Sequence, residues 1–209
     1  MSALLVIDIQ NDFLDHGPFR LSGSSTIIPV VNRLLHNHRW NLVVASRDWH
    51  PPNHKSFAST QAVQPFEQIA LSHGHHTVQL PAWPDHCIQD TEGAEFPALL
   101  DSEKFDHVVS KGVEEDKECF SAFQDVFGVQ ETGLNRLLAS RKITTVYIMG
   151  LVTEYCVSQT ALDAVKFGYD TYIISDAVFA IDPARGEQVL CELKQQSVKV
   201  VSSTSIQLE

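Results

Sequence analysis

Basic residues are scarce in this sequence. Lys and Arg number 15 against 26 Asp and Glu, a net charge of -11. Such a surface repels phosphate backbones and anionic lipid, so neither nucleic acid nor a membrane is an expected partner. No run of roughly 18 apolar residues occurs, so no membrane-spanning helix is expected. The first residues, Met-Ser-Ala-Leu-Leu-Val-Ile-Asp, lack a basic region and read as a buried strand rather than a signal peptide. The 4 cysteines, Cys87, Cys119, Cys156 and Cys191, form no CxxC pair. They read as reduced thiols of a cytoplasmic protein. No repeat, low-complexity stretch or linker rich in Pro, Gly and Ser divides the 209 residues, which suit one domain spanning 1–209.

What is present is an alternation of short apolar runs with amphipathic stretches. Strands are predicted at Ala3–Ile9, Leu42–Ser46, Val108–Ser110, Thr145–Met149, Thr171–Ser175 and Lys199–Val201. Helices are predicted at Thr26–His38, Thr132–Arg141, Tyr155–Phe167 and Pro183–Gln196. Strands that are apolar throughout argue a sheet buried on both faces. The expected fold is an α/β three-layer sandwich with a mostly parallel six-stranded sheet covered by helices on both faces. Ligands of such sheets bind at the carboxyl ends of the strands. Those ends carry Asp8, Asp48 with His50, Lys111, the Gly150 turn and Asp176. The stretch at about 51–106 reads as a long loop insertion, and a loop of that length is usually functional. Six of the 10 histidines lie between His50 and His86. His73, His75 and His76 read as solvated.

The most informative residue is Cys156, in Gly150-Leu-Val-Thr-Glu-Tyr-Cys-Val157. An apolar strand, a glycine, a short polar turn and a helical pattern follow one another. Thr153 as N-cap puts Cys156 in the first helical turn. The positive field there favours thiolate, and free N–H groups beside it suit an oxyanion. A buried structural cysteine is the plainer alternative.

Other clusters bear on that choice. Asp8 closes the run Leu4-Leu-Val-Ile7, where a carboxylate is costly unless paired or used. It is either a turn cap, a task that suits Asp12 better, or a base for a nucleophile. Asp48 and His50 stand two apart at a strand end and can face one cation, with a third ligand from a distant loop such as Trp83-Pro-Asp-His86. Carboxylate plus imidazole suits Zn²⁺, Mn²⁺ or Fe²⁺. The same histidines could instead be surface residues. Lys111 is a solvated strand end or, pointing inward, a cation for Asp8 and Cys156. Phe13, Trp49 and Trp83 suit core or pocket wall.

Taken together, these motifs make the chain similar to the nicotinamidases of the isochorismatase-like cysteine-hydrolase superfamily. The resemblance runs through nearly the whole chain. It rests on Asp-Ile-Gln-Asn-Asp-Phe at 8–13, Ser-Arg-Asp-Trp-His-Pro at 46–51 and Asn-His-Lys-Ser-Phe-Ala at 53–58. It continues in Trp-Pro-Asp-His-Cys at 83–87, Lys-Gly at 111–112, Phe-Ser-Ala-Phe at 120–123 and the Cys156 turn. It implies a catalytic triad of Asp8, Lys111 and Cys156. It implies an oxyanion hole of the Val152 and Cys156 N–H groups, exposed by a cis Leu151–Val152 peptide. It implies a ring pocket with Phe13 and Trp83, and metal ligands Asp48, His50 and His86, with a further variable position around His54 to Ser56. The implied cofactor is one divalent transition metal, Zn²⁺ first, with Mn²⁺ or Fe²⁺ as alternatives. The implied reaction takes nicotinamide and water to nicotinate and ammonia, a step of NAD salvage. A homo-oligomer is the implied assembly. The pattern departs from the family at Glu154, where Asp is common, and at Phe120, where Tyr is common. No role is carried to either. Isochorismatase-type relatives lack the nucleophilic cysteine and carbamoyl-amide hydrolases lack the metal set, so both fit the motifs less well. A non-catalytic protein that kept the fold is disfavoured by the intact triad.

Overall fold

The computed structural model describes residues 1–37 and 39–206. In chain order the elements are β1 Ser2–Ile7, α1 Ile28–Asn37, β2 Leu42–Asp48, α2 Ala58–Gln61, β3 Gln68–His73, β4 His76–Pro81 and β5 His107–Lys111. Then come α3 Leu134–Ser140, β6 Thr145–Leu151, α4 Ser158–Lys166, β7 Asp170–Phe179, α5 Pro183–Gln195 and β8 Lys199–Val201. Six strands form one sheet in the order β5-β2-β1-β6-β7-β8, and every pairing in it is parallel. The expected architecture is therefore found.

β1 shows why both faces are covered. Leu4 and Val6 point into a core with Val31, Leu34 and Leu35 of α1. Ala3, Leu5 and Ile7 point into the opposite core with Leu134 and Leu138 of α3, Ala161 and Ala164 of α4, and Val189 and Leu193 of α5. Successive strand side chains face opposite ways, so a strand between two helical layers must be apolar at every position. Each fully buried Leu, Ile or Val contributes about 1.5–3 kcal/mol. α5 starts where Asp182 accepts the N–H groups of Ala184 and Arg185, with Pro183 in its first turn.

Helix boundaries differ from expectation in explicable ways. The first begins at Ile28, after a 3₁₀ turn at Ser24–Ile27; the predicted end at His38 lies outside the described residues. The second predicted helix, expected from Thr132, begins at Leu134 as α3 because Gly133, at φ 95°, turns the chain left-handed just before it. β7 runs on to Phe179, past a register shift against β6. Asp176 lies inside that strand and binds the N–H and hydroxyl of Ser203, so it is not part of a strand-end site.

The stretch at 51–106 is more ordered than a loop. β3 and β4 pair as an antiparallel hairpin turning at Gly74, φ 60°. Ile69, Leu71 and Leu80 bury one face of it with Ala58 and Ala82. His73 and His76 are cross-strand partners at its tip, and His75 is exposed. The solvated reading holds for His75 and His76, but His73 is half-buried with its ring 5.7 Å from that of Phe127, and the segment forms strands.

No helix of the described residues is long and apolar enough to cross a membrane.

Candidate active site and metal centre

Register brings the site together. Asp48 pairs with Lys111, and Ile7 pairs with both Ser46 and Gly150. The carboxyl ends of β5, β2, β1 and β6 therefore finish side by side. Gly150, at φ 124°, makes the close approach possible; a Cβ there would stand 2.1 Å from the Ile7 carbonyl oxygen. The peptide Leu151–Val152 is cis, as the resemblance implies.

The turn after it departs from expectation. Thr153–Val157 is a wide π-type turn rather than the first turn of an α-helix, and its N-cap is Val152 rather than Thr153. The Val152 carbonyl accepts from the N–H of Tyr155 and of Val157, both at 3.2 Å. The wide turn holds Cys156 at the carboxyl end of the sheet, facing Lys111. Such π segments are common at functional sites.

Lys111 is buried, at 1% exposure. Its Nζ lies 2.5 Å from Asp48 Oδ1, 2.7 Å from the Cys119 carbonyl, 2.9 Å from Asp8 Oδ2 and 3.5 Å from Cys156 Sγ. A solvated strand end is excluded. Asp8, at φ 48°, is fully buried. Its Oδ1 accepts from Ser46 Oγ at 2.8 Å. Its Oδ2 forms an ion pair with Lys111, and the Cys156 thiol also bonds to this carboxyl, so the thiol stands next to an acceptor for its proton. Asp8, Asp48 and Cys156 each bring one polar atom within 4.8 Å of the others.

Burial dominates the protonation of this cluster. It raises the Asp8 carboxyl to about 6, against the pull of Lys111. Burial also raises Asp48, but Lys111 and His50 outweigh it and hold Asp48 low. The ammonium of Lys111 stays charged because its two carboxylates overcome desolvation. Burial pushes the Cys156 thiol well above its usual value, and Lys111 only partly offsets this. The expected bias towards thiolate is thus reversed. A neutral thiol stands beside an ionisable carboxylate, and ionisation requires transfer of its proton.

The second half of the site is held by backbone bridges. His50 N–H donates to the Cys87 carbonyl at 3.0 Å, and Gln89 N–H to the His50 carbonyl at 2.8 Å. Trp83 N–H donates to Ser56, and Ala58 N–H to Trp83, at 2.7 and 2.8 Å. These bridges bring His86 against His50. Donor atoms of Asp48, His50 and His86 all lie within 4.8 Å of one another. His50 Nδ1 donates to the Gly112 carbonyl at 2.9 Å and His86 Nδ1 to the Pro84 carbonyl at 2.7 Å. A carbonyl only accepts, so each Nε2 is left as the ligand atom, turned towards Asp48. Gly112, at φ 61°, leaves room for this; a Cβ there would stand 2.3 Å from the His50 ring. Burial and the neighbouring His50 lower His86 to about 4, so it is neutral and ready to ligate. Burial opposes protonation of His50, but the Asp48 carboxylate prevails and raises it, as it would attract a cation. The donor set fits a divalent ion such as zinc.

Both ring nitrogens of His54 are hydrogen-bonded. Its Nδ1 is bonded to Ser56 Oγ at 2.8 Å and its Nε2 to the Lys117 carbonyl at 3.3 Å. Its ring lies against that of His50, centroids 4.3 Å apart.

Cys156, Asp48 and His86 open into a cleft walled by Phe13, Phe19, Trp83, Phe120, Val152, Tyr155 and Ile181. Phe13 and Trp83 are both nearly buried. A roomier groove, about 440 Å³ against about 30 Å³, lies between β4 and α4. It shares only Phe120 with the cleft and carries none of Cys156, Asp48 and His86, so the smaller cleft is the site.

Several residues here escaped sequence reasoning. Gln10 clamps Asp48 through both main-chain groups, accepting from its N–H at 2.7 Å and donating to its carbonyl at 2.8 Å. Asp12 was expected to cap its own turn but instead accepts from the N–H of Cys87, tying the first motif to the His86 segment. Phe19 packs on Phe13, Trp83 and His86. Glu118 is buried with Oε2 unpartnered; burial raises it, but His54 and His50 prevail and keep it ionised. Only Gln10 and Asp12 lay within a recognised motif.

The isochorismatase domain model matches residues 2–205. The chain belongs to the isochorismatase family. Among relatives in this family, the nicotinamidase of Acinetobacter baylyi is 40% identical over 181 residues, 86% of this chain and 82% of that protein. The yeast nicotinamidase bound to the inhibitor nicotinaldehyde superposes with a TM-score of 0.92 at 30% identity, covering 97% of this chain and 100% of that one. The pyrazinamidase of Pyrococcus horikoshii in complex with zinc superposes at 0.78 with 37% identity, covering 96% and 98%.

Proposed function

We propose that this isochorismatase-family protein is a nicotinamidase, an amidohydrolase converting nicotinamide and water to nicotinate and ammonia. The observation that carries this reading is Cys156 Sγ beside the buried Lys111–Asp8 pair, facing the same cleft as an Asp48–His50–His86 donor set. The similarity to nicotinamidases supports the choice of substrate.

Asp8, Lys111 and Cys156 form the triad. Asp8 takes the proton of the Cys156 thiol, and Lys111 balances the charge. The thiolate bonds to the carboxamide carbon. The N–H groups of Val152 and Cys156 receive the oxyanion, a contribution of about 10²–10³ in rate per donor. The C–N bond breaks as Asp8 returns its proton to nitrogen, releasing ammonia. Asp8 then takes a proton from water, whose oxygen attacks the thioester carbon. The C–S bond breaks, nicotinate leaves and the thiol regains its proton. Phe13 and Trp83 hold the pyridine ring.

Asp48, His50 and His86 would hold one divalent ion, Zn²⁺ in the first instance. Such an ion supplies Lewis acidity, orienting the substrate and acidifying bound water. The free thiols at Cys87, Cys119, Cys156 and Cys191 fit a reducing compartment such as the cytoplasm.

Ammonia release from nicotinamide, measured beside an N-carbamoyl amide, tests the reading. Turnover of nicotinamide alone supports it. Turnover of the carbamoyl compound alone would overturn it.

A further inference from the structure

Glu154 stands two residues before Cys156, and the reaction above gives it no task. Its carboxylate nevertheless spans a gap in the fold. Oε2 accepts from the N–H of Ile181 at 3.1 Å and Oε1 from the N–H of Asp182 at 2.8 Å. These consecutive amides lie in the connection between β7 and α5. From the other side, Asp182 is tied into the start of α5 through Ala184 N–H at 2.9 Å. Ile181 is therefore held between two anchors, one of them on the nucleophile's own turn. Its side chain lines the cleft with Val152, Tyr155 and Cys156, yet remains 39% exposed. That combination places it at the mouth.

We infer that Glu154 is a positioning residue that sets substrate breadth by fixing Ile181 as the aliphatic wall at the cleft mouth. The inference rests on the amidohydrolase reading and adds a determinant of which ring-substituted amides enter. Both carboxylate oxygens are used, and each takes a different amide. Gln at 154 keeps the length but offers one acceptor oxygen, so one amide loses its partner. Asp at 154 has both oxygens but is one methylene shorter. Either change frees Ile181 to move, while Cys156, Asp8 and Lys111 keep their contacts.

The test compares wild type, Glu154→Gln, Ile181→Ala and the double variant. Hydrogen exchange at the amides of Ile181 and Asp182 is read by NMR. Steady-state kinetics are measured with nicotinamide and ring-methylated nicotinamides. Glu154→Gln should speed exchange at those amides and raise KM for nicotinamide more than it lowers kcat. It should shrink the kcat/KM preference for nicotinamide over the methylated amides by about tenfold, the order for one misplaced apolar contact. Because Glu154 acts through Ile181, adding Glu154→Gln to Ile181→Ala should change that preference little further. Unchanged exchange in Glu154→Gln overturns the inference whatever the activity. An equal loss of preference with and without Ile181 also overturns it. A wild type inert towards nicotinamide counts against the amidohydrolase reading instead, and the exchange measurement still judges the anchor.

Discussion

Replacing Lys111 with Met would remove one charge and little volume. Its Nζ neutralises Asp8 at 2.9 Å and Asp48 at 2.5 Å, with Lys111 1% exposed. Without it, two buried carboxylates face each other and Asp8 loses its ion-pair partner. Breaking a buried ion pair from one side costs about 3–5 kcal/mol. For a chain of this size each kcal/mol shifts melting by roughly 2–4 °C, so the loss should be roughly 6–20 °C. The effect should depend on pH with a defined sign. Asp8 already binds its proton more tightly folded than unfolded, being raised from 3.8 to about 6, and removing Lys111 raises it further. A group shifted this way favours folding while protonated and loses that contribution as pH rises through its folded value. The melting deficit should therefore grow from mildly acidic to mildly alkaline pH. Calorimetry across that range, with Asp8→Asn as partner, is the assay. Adding Asp8→Asn to Lys111→Met should recover stability by deleting one carboxylate, while leaving kcat little worse than in the poorer single variant. A melting point unchanged by Lys111→Met, or a double variant less stable than either single one, would refute the reasoning.

Gly112→Ala should weaken metal binding by roughly 10–100-fold, because its Cβ would collide with His50 and disturb the carbonyl that orients the ring; a chelator competition reads this, and unchanged affinity would contradict the placement of His50. His86→Ala should lose the bound divalent ion on elemental analysis of protein purified without chelator, whereas full occupancy would put the metal elsewhere. The kcat/KM profile should fall on the acid side as Asp8, raised to about 6 by burial, becomes protonated and cannot accept the thiol proton; a profile flat through that region would count against Asp8 as base.

Much of the fold was legible because parallel strands covered on both faces must be apolar throughout. Ala3 to Ile7 and Thr145 to Met149 announce themselves, the first followed directly by Asp8 and the second by Gly150 and, beyond Leu151 and Val152, the polar Thr153-Glu154 turn. That contrast located Asp8, Asp48, Lys111 and the Cys156 turn. The β3–β4 hairpin was hidden because Ile69, Leu71 and Leu80 are sparse among His, Gln and Ser, so its alternation is weak. The π-type turn was hidden because one extra residue leaves the apolar helical repeat beyond it intact. The protonation of Cys156 was misjudged because a local motif reveals a helix end and a nearby lysine but not complete desolvation. Phe19, Glu118 and Ile181 reach the site only through tertiary contacts, which no spacing encodes.

The central claim is that Cys156 forms the bond to the substrate. Acid quenching during turnover of nicotinamide, followed by peptide mass spectrometry, tests it most directly. The account predicts a nicotinoyl thioester on the peptide carrying Cys156, its absence in Cys156→Ala, and ammonia release at background in that variant with an unchanged circular dichroism spectrum. Ammonia release by Cys156→Ala at the wild-type rate, with no acyl adduct on any cysteine of the wild type, would contradict it.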